Sequence, residues 1–212
     1  GTIYDGVRPG ADPVGDDAIA VGMIYKANTV SVDLSSVEIL DDTDLDALGF
    51  GALDDDGLGV FNGASTNRSP LAATFTDLGT GEEFTVAVTH MKSKGTGSDS
   101  NADLNDGAGA SNEMRSAGVE VLQSWLDSFA DEDRLVLGDF NAYAAEDPID
   151  LMLADGYTNL EESFNPGATT YVFDGQTGTL DYALGSAEIM NNVTGAEAWN
   201  INSPEPDVFD YN

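Results

Sequence analysis

Apolar positions recur along this chain with two periods, and the switches between them lay out its elements. Residues 18–25 are nearly all apolar and read as a central strand; 31–40 alternate in part and read as a second. Residues 71–76 and 83–91 read as strands joined by the hairpin turn Asp77-Leu78-Gly79-Thr80-Gly81. On the latter strand Phe84, Val86, Val88 and His90 share a face, so His90 continues an apolar row to the strand's end. Met114, Ala117, Val121, Leu122, Trp125, Leu126 and Phe129 repeat at helical spacing behind a cap at Ser111 or Asn112. A strand over 134–138 follows, then a short helix over 148–154 with Pro148 in its first turn, then strands over 169–173 and 179–185. Strands before and after helices predict a mixed α/β sandwich.

Two stretches break the pattern. Residues 41–67 are rich in Asp and Gly and read as a surface loop or poorly ordered insertion; residues 95–111 form a second acidic Gly/Asp-rich loop. In the second, Asp99, Asn101, Asp103 and Asn105 have the oxygen spacing of a calcium loop. Leu104 stands where such a loop turns on Gly, and Ala110 where it ends on Glu. A solvated loop is the expectation, with Ca²⁺ binding as the alternative. No cysteine is present, which excludes disulfides and thiolate metal sites. No apolar run approaches the ~20 residues of a membrane helix. The chain opens at Gly1 in mid-pattern, so any export signal is expected upstream of it.

Charge changes the picture most. The sequence carries 39 acidic residues against 7 basic, a net charge of −32. Recurring apolar segments argue against disorder, and binding of nucleic acid through a basic surface is excluded. Adaptation to high salt fits better: at ~1 M the Debye length is roughly 3 Å, and surface carboxylates cease to repel one another. An acidic protein of an ordinary environment has the same composition. Against this background Lys92 and Lys94 directly follow His90, the single histidine, and Arg115 lies on the next helix. A phosphate ligand would account for cations kept there; solvated strand-end charges are the plainer alternative.

The chemistry concentrates at three strand ends: His90, the run Gly138-Asp139-Phe140-Asn141, and Asp181 in Gly178-Thr179-Leu180-Asp181. Strand alternation turns Asp139 and Asn141 the same way. Phosphodiester hydrolysis needs an activated water, neutralised phosphate charge and help for the leaving oxygen. A hard cation such as Mg²⁺ takes oxygen ligands and leaves room for phosphate. Asp139 suits orienting or deprotonating the water, Asn141 donating to a phosphate oxygen, His90 binding or protonating phosphate, and Asp181 binding metal or orienting an imidazole. Each has a plainer reading as a turn or a structural residue; three together make that joint reading weaker.

These residues resemble a family. Thr89-His90-Met91-Lys92-Ser93-Lys94-Gly95, Gly138-Asp139-Phe140-Asn141-Ala142-Tyr143 with Glu146-Asp147-Pro148-Ile149, and Tyr171-Val172-Phe173-Asp174-Gly175 before Gly178-Thr179-Leu180-Asp181 are similar to the endonuclease/exonuclease/phosphatase superfamily. Within it they resemble the secreted bacterial nucleases of the ExeM/NucH-like group. Asn67-Arg68-Ser69-Pro70 and the tail from Trp199 to Asn212 fit the same group. The resemblance covers nearly the whole chain. It implies a single domain over residues 1–212: a four-layer α/β sandwich of the deoxyribonuclease I kind, incomplete at its N- and C-terminal strands. It also implies an extracellular, monomeric, Mg²⁺- or Mn²⁺-dependent nuclease for DNA, with RNA as a second substrate class and no membrane partner. His90, Asp139, Asn141 and Asp181 would be catalytic, with metal at Asp139 and Asn141. Arg68, Lys92, Lys94 and Arg115 would bind phosphate. The family's first-strand Asn, its metal-binding Glu and its terminal Ser-Asp-His have no counterpart here, so the chain taken alone is expected to be weakly active or inactive. Ser98 and Ser111 stand where the group often has two Cys.

A phosphatase or sphingomyelinase-like phosphodiesterase is the alternative within the superfamily. A non-catalytic, acidic, calcium-binding module on the same fold is the alternative outside it. The charge makes a distinguishing prediction for a nuclease: DNA cleavage should rise with salt over some range as screening relieves repulsion. A steady fall from low salt upward, in a plasmid-nicking assay across NaCl concentrations, would contradict it.

Overall fold

The computed structural model describes residues 4–7, 14, 19–54, 58–61, 65–95, 102–173 and 175–200. Ala18, Ser98, Asp99, Asn101, Asp174 and the tail 201–212, all named above, lie outside the described residues. In chain order the elements are β1 (Tyr4–Val7), β2 (Met23–Lys26), β3 (Val30–Val32), β4 (Glu38–Ile39), α1 (Leu45–Leu48), β5 (Leu71–Asp77), β6 (Glu83–His90) and α2 (Asn112–Leu126). They continue with β7 (Arg134–Asp139), α3 (Asp147–Ala154), β8 (Thr158–Asn159), α4 (Leu160–Phe164), β9 (Tyr171–Phe173), β10 (Gln176–Gly178) and β11 (Asp181–Gly185).

A seven-stranded sheet runs β3-β5-β6-β7-β11-β8, with β4 also on β5. Its pairs are antiparallel except β6 with β7, which are parallel and linked through α2. The sheet buries both faces. Ala72, Ala87, Val136 and Leu184 turn toward the helices, packing with Leu45 of α1, Leu122 and Trp125 of α2, and Ile149 and Met152 of α3. Leu71, Ala73, Phe75 and Val86 turn the other way, toward Val7 and Met23 of the β1–β2 ribbon. That ribbon covers its face in part, leaving a cavity of about 370 Å³ lined by Tyr25, Val30, Phe84, Val88, Leu135 and Leu137. Helices, large sheet and opposing ribbon thus make a mixed α/β sandwich.

Three expectations need correction. The 18–25 strand is the shorter β2, and it is not central: among the described residues it pairs only with β1, and Ile24 is 81% exposed. The strand over 31–40 is interrupted, because the Asp33 carboxylate accepts the Ser35 N–H and turns the chain through one 3-10 turn between β3 and β4. The segment 41–67 is not simply a surface insertion. Its acidic residues serve as caps: Asp41 accepts from Thr43 N–H, and Asp42 accepts from both Val60 and Phe61 N–H. With the backbone so satisfied, Leu45, Val60 and Phe61 enter the core. The 77–81 turn forms as expected, the Asp77 carboxylate accepting from Gly79 and Thr80 N–H.

Leu45→Ala should therefore cost about 2–5 kcal/mol of unfolding free energy in a urea titration. A loss under about 0.5 kcal/mol would restore the surface-loop reading.

Candidate active site at the end of the central strands

Strand register brings the three strand-end residues together. In the parallel β6–β7 pair His90 lies opposite Asp139, and in the antiparallel β7–β11 pair Asp139 lies opposite Asp181. Asp181 opens its strand instead of closing an apolar run; the reversed direction of β11 brings it to the same edge. Gly138 permits this register. Its φ is +146°, and a Cβ there would sit 1.9 Å from the Thr89 carbonyl oxygen.

His90 Nε2 lies 3.5 Å from Asp139 Oδ2, with both side chains about seven-tenths buried. Burial raises the Asp139 carboxyl above the usual carboxylate range; the Asn141 N–H opposes that, Asp181 adds to it, and His90 and Arg68 counter it. Asn141 arrives by a route the alternation argument did not foresee. Strand β7 ends at Asp139, and Asn141 takes a left-handed conformation with φ +48°. Its N–H donates to Asp139 Oδ1 at 2.7 Å, and its Nδ2 donates to the Met91 carbonyl at 3.0 Å. One N–H expected to serve phosphate thus first fixes the segment that follows His90.

That segment is held at three successive carbonyls. The His90 carbonyl accepts from Arg68 N–H, the Met91 carbonyl also from Arg68 Nη1, and the Lys92 carbonyl from Arg115 Nη1. Lys92 N–H donates to Asn67 Oδ1 at 2.9 Å, while Asn67 Nδ2 donates to the Met114 and Val60 carbonyls. Asn67 is 1% exposed and fits beneath α2 because residue 118 is Gly: a Cβ there would come 2.3 Å from Asn67 Nδ2. Asn67 therefore ties the 58–61 segment, α2 and the site together. Its place beside Arg68 in the sequence gave no sign of that work.

The expected phosphate ligands divide. Arg68 stands near enough to Asp139 to favour its ionised form, and Lys92 is half-buried at the edge. Arg115 is not at the surface at all. It is 0% exposed and donates to the carbonyls of Lys92, Ala110 and Ala108. Lys94 is bound to the Glu146 carboxylate and to the Ala108 carbonyl. Glu146, itself 8% exposed, also lies 3.9 Å from Arg115 Nη2. Burial pushes the Lys94 ammonium down and the Glu146 hydrogen bond pulls it back. A charge taken from water needs a partner, and Glu146 supplies it. These two cations fasten the 102–110 loop to the strand ends.

Asp139, Asn141 and Asp181 offer a hard-oxygen donor set of the type that suits Mg²⁺ or Mn²⁺. Among the described residues no group of three or more His, Asp or Glu side chains closes up tightly enough to hold an ion alone.

The sandwich is that of the endonuclease/exonuclease/phosphatase proteins of the deoxyribonuclease I kind. The chain is similar to the endonuclease/exonuclease/phosphatase of Bacteroides vulgatus, with TM-score 0.57 and 17% identity over 87% of this chain and 65% of that one. It is similar to the human Nocturnin catalytic domain, with TM-score 0.53 and 17% identity over 78% and 52% of the two chains. It is similar to D. rerio TDP2 complexed with single-strand DNA product, with TM-score 0.50 and 15% identity over 88% and 63%. The chain thus spans 52% to 65% of these structures' own lengths. No protein-family model and no curated protein sequence matches it.

Glu146→Gln, which keeps the shape and removes the charge, should lower the unfolding free energy by about 3 kcal/mol by leaving Lys94 and Arg115 uncompensated. Glu120→Gln on the exposed side of α2 should change it by under about 0.5 kcal/mol. Equal small losses in urea titrations of the two variants would show the cluster to be dispensable.

Proposed function

We propose that this chain is a metal-dependent phosphodiester hydrolase acting on nucleic acid, and more narrowly a secreted, salt-adapted, monomeric endonuclease for DNA. The observation that carries the reading is the register that sets His90, Asp139 and Asp181 in one row. One neighbour in the same fold, D. rerio TDP2, is complexed with single-strand DNA product. Asp139 and Asn141, with Asp181 beside them, would hold the Mg²⁺ or Mn²⁺. When bound, that ion neutralises phosphate charge and lowers the pKa of a coordinated water.

The chain's own residues do the rest. The Asp139 carboxylate, fixed by the Asn141 N–H, orients the attacking water or accepts its proton. His90, 3.5 Å from Asp139, binds the phosphate or protonates the leaving oxygen. Arg68, pinned through the Met91 carbonyl, faces the same edge and contributes fixed positive charge for phosphate. A second reading, phosphomonoester hydrolysis, is favoured by a neighbour described as a mannosyl-6-phosphatase.

In the longest polypeptide that contains this chain, plasmid nicking should require Mg²⁺ or Mn²⁺ and stop with EDTA. Asp139→Ala and His90→Ala should each slow it about 100-fold or more. Cleavage by Asp139→Ala at the parent rate would sink the assignment; release of phosphate from a monoester without nicking would select the second reading.

A further inference from the structure

Two tyrosines stand beside this site without a part in the proposed chemistry. Tyr143 follows Asn141 by two residues and is 36% exposed; Tyr171 opens β9 and is 37% exposed. They converge on one point. A Cβ at Gly178 would meet the Tyr143 ring at 2.5 Å from Cε1 and 2.8 Å from Cδ1, so the ring rests on that glycine. Across the β9–β10 ribbon, Gly178 pairs with Tyr171. The two phenols are near enough that Tyr171, after burial, is the next influence raising the Tyr143 hydroxyl's pKa.

The backbone that carries the two tyrosines is tied to the site. Tyr182 Oη lies 3.0 Å from the carbonyls of Ala142 and of Thr179, tying the turn before Tyr143 to the residue after Gly178. Thr170, next to Tyr171, accepts through Oγ1 from the N–H groups of Leu180 and Asp181, and its own N–H donates to the Gly178 carbonyl. Lys94 Nζ stands 5.1 Å from the Tyr143 ring centroid.

Net charge works against the binding of a nucleic acid here. The chain has a net charge of −32, and Lys94 and Arg115 are committed to Glu146 and to carbonyls. At high salt the remaining phosphate contacts weaken further. Stacking of a base on a tyrosine is insensitive to that screening and is worth roughly 5- to 150-fold in affinity per base. The faces of bases inside a duplex are covered by their neighbours; only unpaired nucleotides offer them.

We propose that Tyr143 and Tyr171 form a stacking platform for unpaired bases flanking the scissile phosphate, making single-stranded nucleic acid the substrate class. The proposal rests on the phosphodiesterase reading of the adjacent site. It is tested by binding in EDTA at about 1 M NaCl, with fluorescence anisotropy of a labelled oligothymidine strand, an abasic strand of equal length and charge, and the oligothymidine in duplex with oligoadenosine. The parent protein should bind the single strand about 10-fold or more tighter than either other probe. Tyr143→Ala with Tyr171→Ala should erase that preference, and Tyr143→Phe with Tyr171→Phe should keep it. Equal affinity of the parent for normal and abasic strands, or a preference surviving the double alanine variant, overturns the platform. The parent comparison needs no variant to fold. A protein that binds in this way yet cleaves no phosphodiester overturns the hydrolase reading alone. One that cleaves normal and abasic strands with equal KM overturns the platform alone.

Discussion

The pairing of β6 with β7 is the constraint on which the rest depends. These are the neighbouring strands of the sheet that run parallel, and the β6–α2–β7 connection places a helix over one face while delivering both strand ends to one edge. The pairing must also be close at its last residues, because His90 and Asp139 are useful only side by side. Gly138 supplies that closeness: in a conformation foreign to other residues, it lets the Thr89 carbonyl approach where a side chain would stand. Strand β11 then adds Asp181 from the opposite direction at no further geometric cost, since antiparallel register is fixed by the strand it joins.

The second theme is how a chain with few cations deploys them. Arg115 and Lys94 turn to protein groups: they neutralise one buried carboxylate and collect the carbonyls of a loop that has little apolar surface of its own. In a protein this acidic, a loop such as 102–110 would otherwise be repelled from its surroundings. A buried guanidinium satisfies several carbonyls at once, which an ammonium cannot match in the same plane. Arg68 and Lys92 are the described cations left near the chemistry.

Much of the fold was legible because hydrophobic period survives an unusual composition. The row Phe84, Val86, Val88, His90 and the apolar run ending at Gly138 could be read as strands, and their ends lie side by side. The helix 112–126 was legible for the same reason. What could not be read was the use of polar residues inside the structure. Asp and Gly between 41 and 61 have the composition of a solvated loop, yet Asp41 and Asp42 cap turns that carry Leu45 and Phe61 inward. Rarity suggested that Arg115 and Lys94 matter but not which way they point; that depends on Glu146, distant in sequence and adjacent only once α3 is in place. Asn141 was placed at the correct edge for an incomplete reason, since a left-handed turn, not strand alternation, brings it there.

Asn67 lies under α2 in a space that exists because Gly118 lacks a methyl group, and from there it grips the N–H of Lys92. The alignment of the strand end that carries His90 is thus set from behind, by a helix on the opposite face of the sheet. The helix is then part of the mounting of that strand end, joined to it through a single buried carboxamide.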